Sequence, residues 1–150
     1  MMNIRPYQSA YFQKVLALFD LNTPQYFAES EKADLEEYLQ QKREDYFVVE
    51  ENGEFIGAGG INYDPDRAVI SWDFIHPEWQ GKGIGRRLMD FRLAYIRSQK
   101  QYEKVIVRTS QLASGYYEKM GFNLLEVKKD FWAEGFDLYF MEQTISAGSY

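Results

Sequence analysis

The residues with the most chemistry in them stand together at Gln80-Gly81-Lys82-Gly83-Ile84-Gly85-Arg86-Arg87. The run follows a strand-like stretch and leads into apolar residues at helical spacing, so it predicts a strand-to-helix turn. A helix N-terminus leaves several backbone N–H groups unpaired and carries partial positive charge. Glycines at 81, 83 and 85 remove side chains that would hold an anion away, and Lys82, Arg86 and Arg87 add cations. By its physics this is a pyrophosphate cradle. Two familiar nucleotide patterns do not fit it. No Gly-Lys-Ser/Thr closes the run as in a P-loop. A dinucleotide fingerprint read from Gly81 meets Arg86 where its third glycine belongs, and read from Gly83 it meets Leu88. The structural alternative is an ordinary glycine-rich turn.

Composition narrows the chemistry further. The 150 residues include no Cys, which removes disulfides, thiolate nucleophiles and Cys-ligated metals. One imidazole, His76, removes His-rich metal sites, so no metal is expected. With 17 Lys+Arg against 23 Asp+Glu the formal charge is −6 and the sequence pI is near 4.9. That disfavours nonspecific nucleic-acid binding and favours a cationic or neutral partner. No apolar run approaches the ~20 residues of a membrane helix, and the first residues carry no signal-like apolar segment, so a cytoplasmic chain is expected. Apolar types make up 45% and aromatics 17%, ample for one core. Residues 1–145 read as one domain and 146–150 as a loose tail.

The elements that must position the turn follow from periodicity. Asn3-Ile4-Arg5 reads as a short strand closed by Pro6, and Ser9 to Asp20 as a helix burying Phe12, Val15, Leu16 and Phe19. After a loop from Asn22 to Phe27, Ser30 can cap a helix to about Lys42, with Leu35, Tyr38 and Leu39 on its apolar face. Tyr46–Glu50 and Glu54–Tyr63 form a hairpin around Asn52-Gly53. Gly57, Gly59 and Gly60 in its second strand suggest that some group approaches the backbone closely. Ala68 to Ile75 is a strand, and the turn then opens a helix to about Lys100 striped by Ile84, Leu88, Phe91 and Tyr95. Lys104–Arg108 is a strand and Leu112–Met120 a short helix ended by Gly121. Phe122–Val127 and Phe136–Met141 complete a mixed sheet flanked by helices.

Gln80-x-x-Gly83-x-Gly85 resembles the coenzyme A pyrophosphate loop of the GNAT superfamily of N-acetyltransferases. Two flanking stretches strengthen the likeness. Phe74-Ile75-His76-Pro77-Glu78 is similar to the Val-x-Pro-Glu end of that family's fourth strand. Ala113-Ser114-Gly115-Tyr116-Tyr117-Glu118-Lys119-Met120-Gly121-Phe122 resembles its Ala-x-x-x-Tyr-Glu-Lys-x-Gly-Phe signature. The resemblance covers nearly the whole chain. It implies an α+β (mixed α/β) GNAT fold, a twisted mixed sheet of about six to seven strands with about four helices. It also implies transfer of an acetyl group from acetyl-CoA to a primary amine, of a small molecule or of a peptide, by direct attack.

Further implications attach to single residues. The cradle Gln80, Gly81, Lys82, Gly83, Ile84, Gly85 and Arg86, with Phe74, Ile75 and His76 before it and Lys119 after it, would meet the coenzyme. The fourth strand should splay from the fifth and leave free backbone groups at Phe74 and Ile75. Ser110 stands where many members carry Asn, and can donate toward the pantetheine arm with shorter reach. Tyr117 matches the general acid that protonates the leaving thiolate, and its neighbour Tyr116 reads as packing. Asp73 is the first candidate for the base because it shares a strand face with Ile75. A bulge, or a structural Arg or Tyr partner, would reassign it. His76 reads first as a surface residue ending its strand before Pro77, and only second as a coenzyme contact.

The acceptor pocket in this family lies between the loop joining the first two helices and the turn joining the last two strands. Tyr26, Phe27, Trp132 and Asp137 are the candidates there, rings and a carboxylate suited to an amine. A non-catalytic acyl-CoA-binding sensor or subunit is the alternative function. Family members are often monomers or dimers, which leaves a homodimer open.

Overall fold

Val48, Val49, Ile56, Ala58 and Ile61 have no exposed surface, and all lie on the hairpin closed by Asn52 and Gly53. Both turn residues have positive φ, 51° and 82°, as the tight twisted turn demands. The structure, a computed structural model, describes residues 2–145; the tail expected at 146–150 lies outside the described residues. The strands are β1 (Met2–Pro6), β2 (Asp45–Glu51), β3 (Glu54–Tyr63), β4 (Ala68–Ile75), β5 (Lys104–Thr109), β6 (Asn123–Ala133) and β7 (Phe136–Thr144). The helices are α1 (Phe12–Asp20), α2 (Lys32–Glu37), α3 (Ile84–Ser98) and α4 (Ser114–Lys119). One seven-stranded sheet runs β1-β2-β3-β4-β5-β7-β6, antiparallel throughout except for the parallel pair β4–β5.

Two cores sandwich the sheet. On one face α3 and α4 bury Leu88, Met89, Ile96, Tyr117 and Phe122 against Val49, Ile56, Ile70 and Val107. On the other, Phe19 of α1 and Leu35 of α2 meet Tyr46, Val48 and Phe74. Such two-sided cover suits the central strands, whose inward residues alternate between the cores.

Several elements differ from their sequence reading. The stripe of α3 is rotated: Phe91 and Tyr95 are 37% and 39% exposed, while Arg92 and Ile96 are fully buried. Arg92 follows Leu88 by one helical turn, and the charge that hid it from a hydrophobic count has a partner inside. The second helix is broken into a 3₁₀ turn at Glu29–Glu31, α2, and a π turn at Tyr38–Lys42. Its start is capped by Glu31 rather than Ser30: the Ala28 N–H donates to the Glu31 carboxylate at 2.8 Å. The last two strands are longer than predicted, so Lys128 to Ala133 is strand, and only Glu134 and Gly135 turn the chain.

Candidate functional site

β4 and β5 pair only where Ala68–Ile70 meets Val105–Val107. Beyond Ile70 the strands part, and a cavity of about 650 Å³ opens between them, walled by β4 from Val69 to Ile75 and by Val107 to Ser110. His76 N–H donates to the Ile56 carbonyl at 2.8 Å, and Phe74 stands opposite Ala58. By antiparallel alternation those residues bond toward β3, while Ile75 between them turns its N–H and C=O into the cleft. The expectation of free groups at both Phe74 and Ile75 therefore narrows to Ile75. The Gln80 amide already donates to that Ile75 carbonyl at 3.2 Å.

The cradle closes one end of the cavity. Gly81 and Gly83 have φ of 77° and 84°, and Gly83 is the N-cap of the long α3. Only with Arg87 N–H to Gly83 C=O, 3.1 Å, does the helix ladder begin, so the amides of Ile84, Gly85 and Arg86 lack helical acceptors. Gly81, Gly83, Ile84, Gly85 and Arg86 all line the cavity. The missing side chain at Gly85 makes room for a neighbour, since a Cβ there would collide with the Tyr116 hydroxyl, and the Gly85 backbone amide stays in the cradle. Arg86 donates to the Lys119 carbonyl at 3.2 Å, so Lys119 contributes its backbone while its side chain is exposed. Lys82 lies over the Trp79 ring. The His76 imidazole accepts from Glu78 N–H at 3.1 Å, capping the short 3₁₀ turn Pro77–Trp79. These residues still offer amides and a guanidinium suited to a pyrophosphate.

At the throat, Tyr117 donates its hydroxyl to Asp73 Oδ2 at 2.9 Å, and Asp73 Oδ1 lies 2.6 Å from Arg92 Nη2. Arg92 also reaches the Gly60 carbonyl at 3.1 Å. A bulge in β4 makes this possible. Trp72 takes φ of 48°, and Trp72 and Asp73 together oppose Gly59. The bulge places Ser71 and Trp72 toward α2 and leaves Asp73 and Ile75 on the α3 face. Asp73 is thus on the expected face but engaged on both oxygens by an Arg and a Tyr. Gly59 is required beneath the pair, since a Cβ there would meet Asp73 Oδ1 at 2.1 Å. Burial first, then the charge of Asp73, pushes the Tyr117 phenol well above its ordinary range. Tyr116, raised chiefly by burial and next by Asp73, lines the same cavity. Burial pulls the Arg92 guanidinium down, but Asp73 more than offsets it and the net shift is upward. Ser110, buried on the cavity wall, accepts from Leu112 N–H at 3.2 Å, and among the described residues nothing takes its proton.

A further wall of the cavity is aromatic. Tyr26, Phe27, Trp72 and Trp132 line it. The Tyr26 hydroxyl donates to Gln80 at 3.2 Å, tying the α1–α2 loop to the cradle, and Trp132 Nε1 donates to the Thr109 carbonyl at 2.9 Å. Asp137 is not brought there. Its carboxylate accepts from Asp130 N–H at 2.9 Å and braces the β6–β7 hairpin. Among the lining or supporting residues, Arg92, Tyr116, Trp72 and Glu31 escaped the sequence reading. A charge on a buried helical stripe would have flagged Arg92, whereas an acid directly after a candidate Ser cap is ordinary in a helix's first turn and gives Glu31 no signal. Among the described residues no cluster of acidic or imidazole groups could hold a metal, and no helix is long and apolar enough to cross a membrane.

Residues 15–145 match the family described as Acetyltransferase (GNAT) domain. The fold is shared with a GNAT-family protein from Desulfovibrio desulfuricans at 17% identity and TM-score 0.83, covering 97% of this chain and 100% of that one. It is shared with the ribosomal-protein-S18-alanine N-acetyltransferase of Escherichia coli at 16% identity and TM-score 0.79, covering 100% and 99%. An aminoglycoside 6′-N-acetyltransferase in complex with coenzyme A aligns at 15% identity and TM-score 0.76, covering 96% and 97%. At these identities the likeness concerns the fold.

Proposed function

This chain belongs to the GNAT acetyltransferases, and from that premise we propose that it acetylates a primary amine by direct attack, with Tyr117 protonating the sulfur that leaves. The observation that carries the reading is the position of the Tyr117–Asp73 bond, on the wall of a cavity that ends at the α3 cradle. Acetyl-CoA supplies the thioester whose carbonyl carbon the amine attacks. The cradle amides of Ile84, Gly85 and Arg86, with the Arg86 guanidinium, would hold its pyrophosphate. Ile75 N–H and the Ser110 hydroxyl are the donors that face the pantetheine path, and an N–H there can polarise a carbonyl.

The residues at the throat manage a proton. Tyr117 is protonated at neutral pH, where a small fraction of an alkyl amine is already free, because burial and the charge of Asp73 raise its phenol above the usual 10. To give the proton to sulfur, the O–H must turn away from Asp73. Asp73 then keeps Arg92 as its partner, so the carboxylate is not stranded in a buried wall. On this reading Asp73 acts through Tyr117. The ammonium of the acceptor loses one proton to water in the open cavity before attack. The second proton, shed by the nitrogen as the amide forms, returns through that water to the Tyr117 phenolate.

Thermal melting with acetyl-CoA tests the premise: ligand at a hundredfold excess over its dissociation constant stabilises by about 2.7 kcal/mol. Thiol release across an amine panel tests turnover. No shift at millimolar acetyl-CoA would sink the donor assignment. A shift with no thiol release from any amine would favour the acyl-CoA-binding alternative.

A further inference from the structure

Glu31 is a carboxylate that neither the cradle nor the throat uses. It is 7% exposed and lines the cavity with Tyr26, Phe27 and Trp72. One oxygen accepts the Ala28 N–H at 2.8 Å. Among the described residues no Lys, Arg or His pairs with Glu31, and the other oxygen has no hydrogen-bond donor. Burial raises its carboxyl from the ordinary 4.5, the Ala28 N–H offsets part of that rise, and Asp34, of its own sign, adds to it.

The second oxygen of Glu31 is not fully buried and keeps some contact with the cavity, and a mostly withdrawn carboxylate with one amide donor still costs stability. The amide cap does not require that charge, because a neutral Gln would accept the same Ala28 N–H. The acid therefore has a use outside the fold. It is ill suited to the reacting nitrogen, since a carboxylate beside an amine favours the ammonium form, which cannot attack. It is well suited to a cation that stays a cation. The rings that line the same cavity add cation–π attraction, and the chain's charge of −6 draws such molecules in.

We propose that Glu31 and the rings of Tyr26, Phe27 and Trp72 form a subsite for a second, non-reacting cationic group, so that the acceptor is a diamine or larger polycationic amine. The inference rests on the acetyl-transfer reading and names the substrate class for that same cavity.

The test compares α,ω-diamines of three to eight carbons with the monoamines of equal length, scored by kcat/KM for thiol release from acetyl-CoA. The wild type should prefer at least one diamine by about tenfold or more, the size of one charge-assisted contact. In Glu31→Gln that preference should collapse toward one, mainly through KM, while the melting temperature holds. Equal use of diamines and monoamines by the wild type overturns the subsite, as does a preference that survives Glu31→Gln. Calorimetric titration of the same amines into CoA-saturated protein reads the subsite without turnover. Thiol release from no amine would sink the transfer reading, yet diamine binding sensitive to Glu31→Gln would still uphold the subsite. Diamine binding no stronger than monoamine binding would overturn it.

Discussion

Asp73 and Glu31 are both nearly withdrawn from water, yet Asp73 has a guanidinium and a phenol on its oxygens while Glu31 has one backbone amide. The first sits on the α3 face of β4 and the second in the α1–α2 layer on the opposite side of the sheet. The difference separates two uses of a buried charge. A fully partnered carboxylate fixes geometry, and it becomes costly only when a partner is taken away. A carboxylate left short of partners is costly from the start, and binding a ligand offsets that cost.

The largest expected effect comes from breaking the partnered side. Arg92→Met strands Asp73 against a buried wall, and should cost about 3–5 kcal/mol in urea unfolding. A loss under about 1 kcal/mol would mean that Asp73 finds water or a proton instead, and the contrast with Glu31 would fall. Next is Tyr117→Phe, which removes the proton donor and should lower kcat about 100-fold, the low end for general acid catalysis. Acetyl-CoA affinity should hold, because the cradle lies on α3. The wild-type pH profile should rise as the acceptor amine deprotonates and show no fall below pH about 10, since the raised Tyr117 phenol remains protonated there. A descending limb near pH 8 would assign the proton to another group.

Gly59→Ala sharpens the same side from below. The new Cβ would press on the Asp73–Arg92 pair, and a shift of that pair should cost about 1–3 kcal/mol. The matching change at Gly53, where nothing lies within 4 Å, would report backbone strain alone because its φ is 82°. A Gly59→Ala loss no larger than that of Gly53→Ala would mean the throat is loosely packed.

Local signals in the sequence go far toward the fold and less far into the site. Asn52-Gly53 announces the hairpin, Gly121 ends α4 with φ of 99°, and the glycine run places the cradle at the start of α3. These are properties of a few consecutive residues. Asp73, Arg92 and Tyr117 come from three elements, and their meeting depends on a bulge at Trp72 that no local pattern announced. The crowding glycines Gly57, Gly59 and Gly60 did signal close approach, but the approaching groups are the protein's own side chains, Ile75, Asp73 and Tyr46. Asp137 failed for the same reason in reverse. Its composition suited an amine pocket, and the bulged β6–β7 hairpin turned it to a backbone amide.

Glu31→Gln is the smallest expected change in stability and the sharpest test of the contrast. The folded-state carboxyl of Glu31 is raised above its unfolded value, so its contribution to stability is fully present below pH about 4.5 and is lost as pH rises through the folded value. At neutral pH the charged form is a liability. Gln keeps the acceptor for Ala28 N–H and carries no charge, so the variant should unfold at the same or slightly higher urea concentration at pH 7. Measured from pH 4 to pH 7, its advantage over the wild type should grow with pH. A variant clearly less stable at pH 7 would show that the fold itself needs the Glu31 charge. The two carboxylates would then be alike, and the cationic subsite would lose its reason.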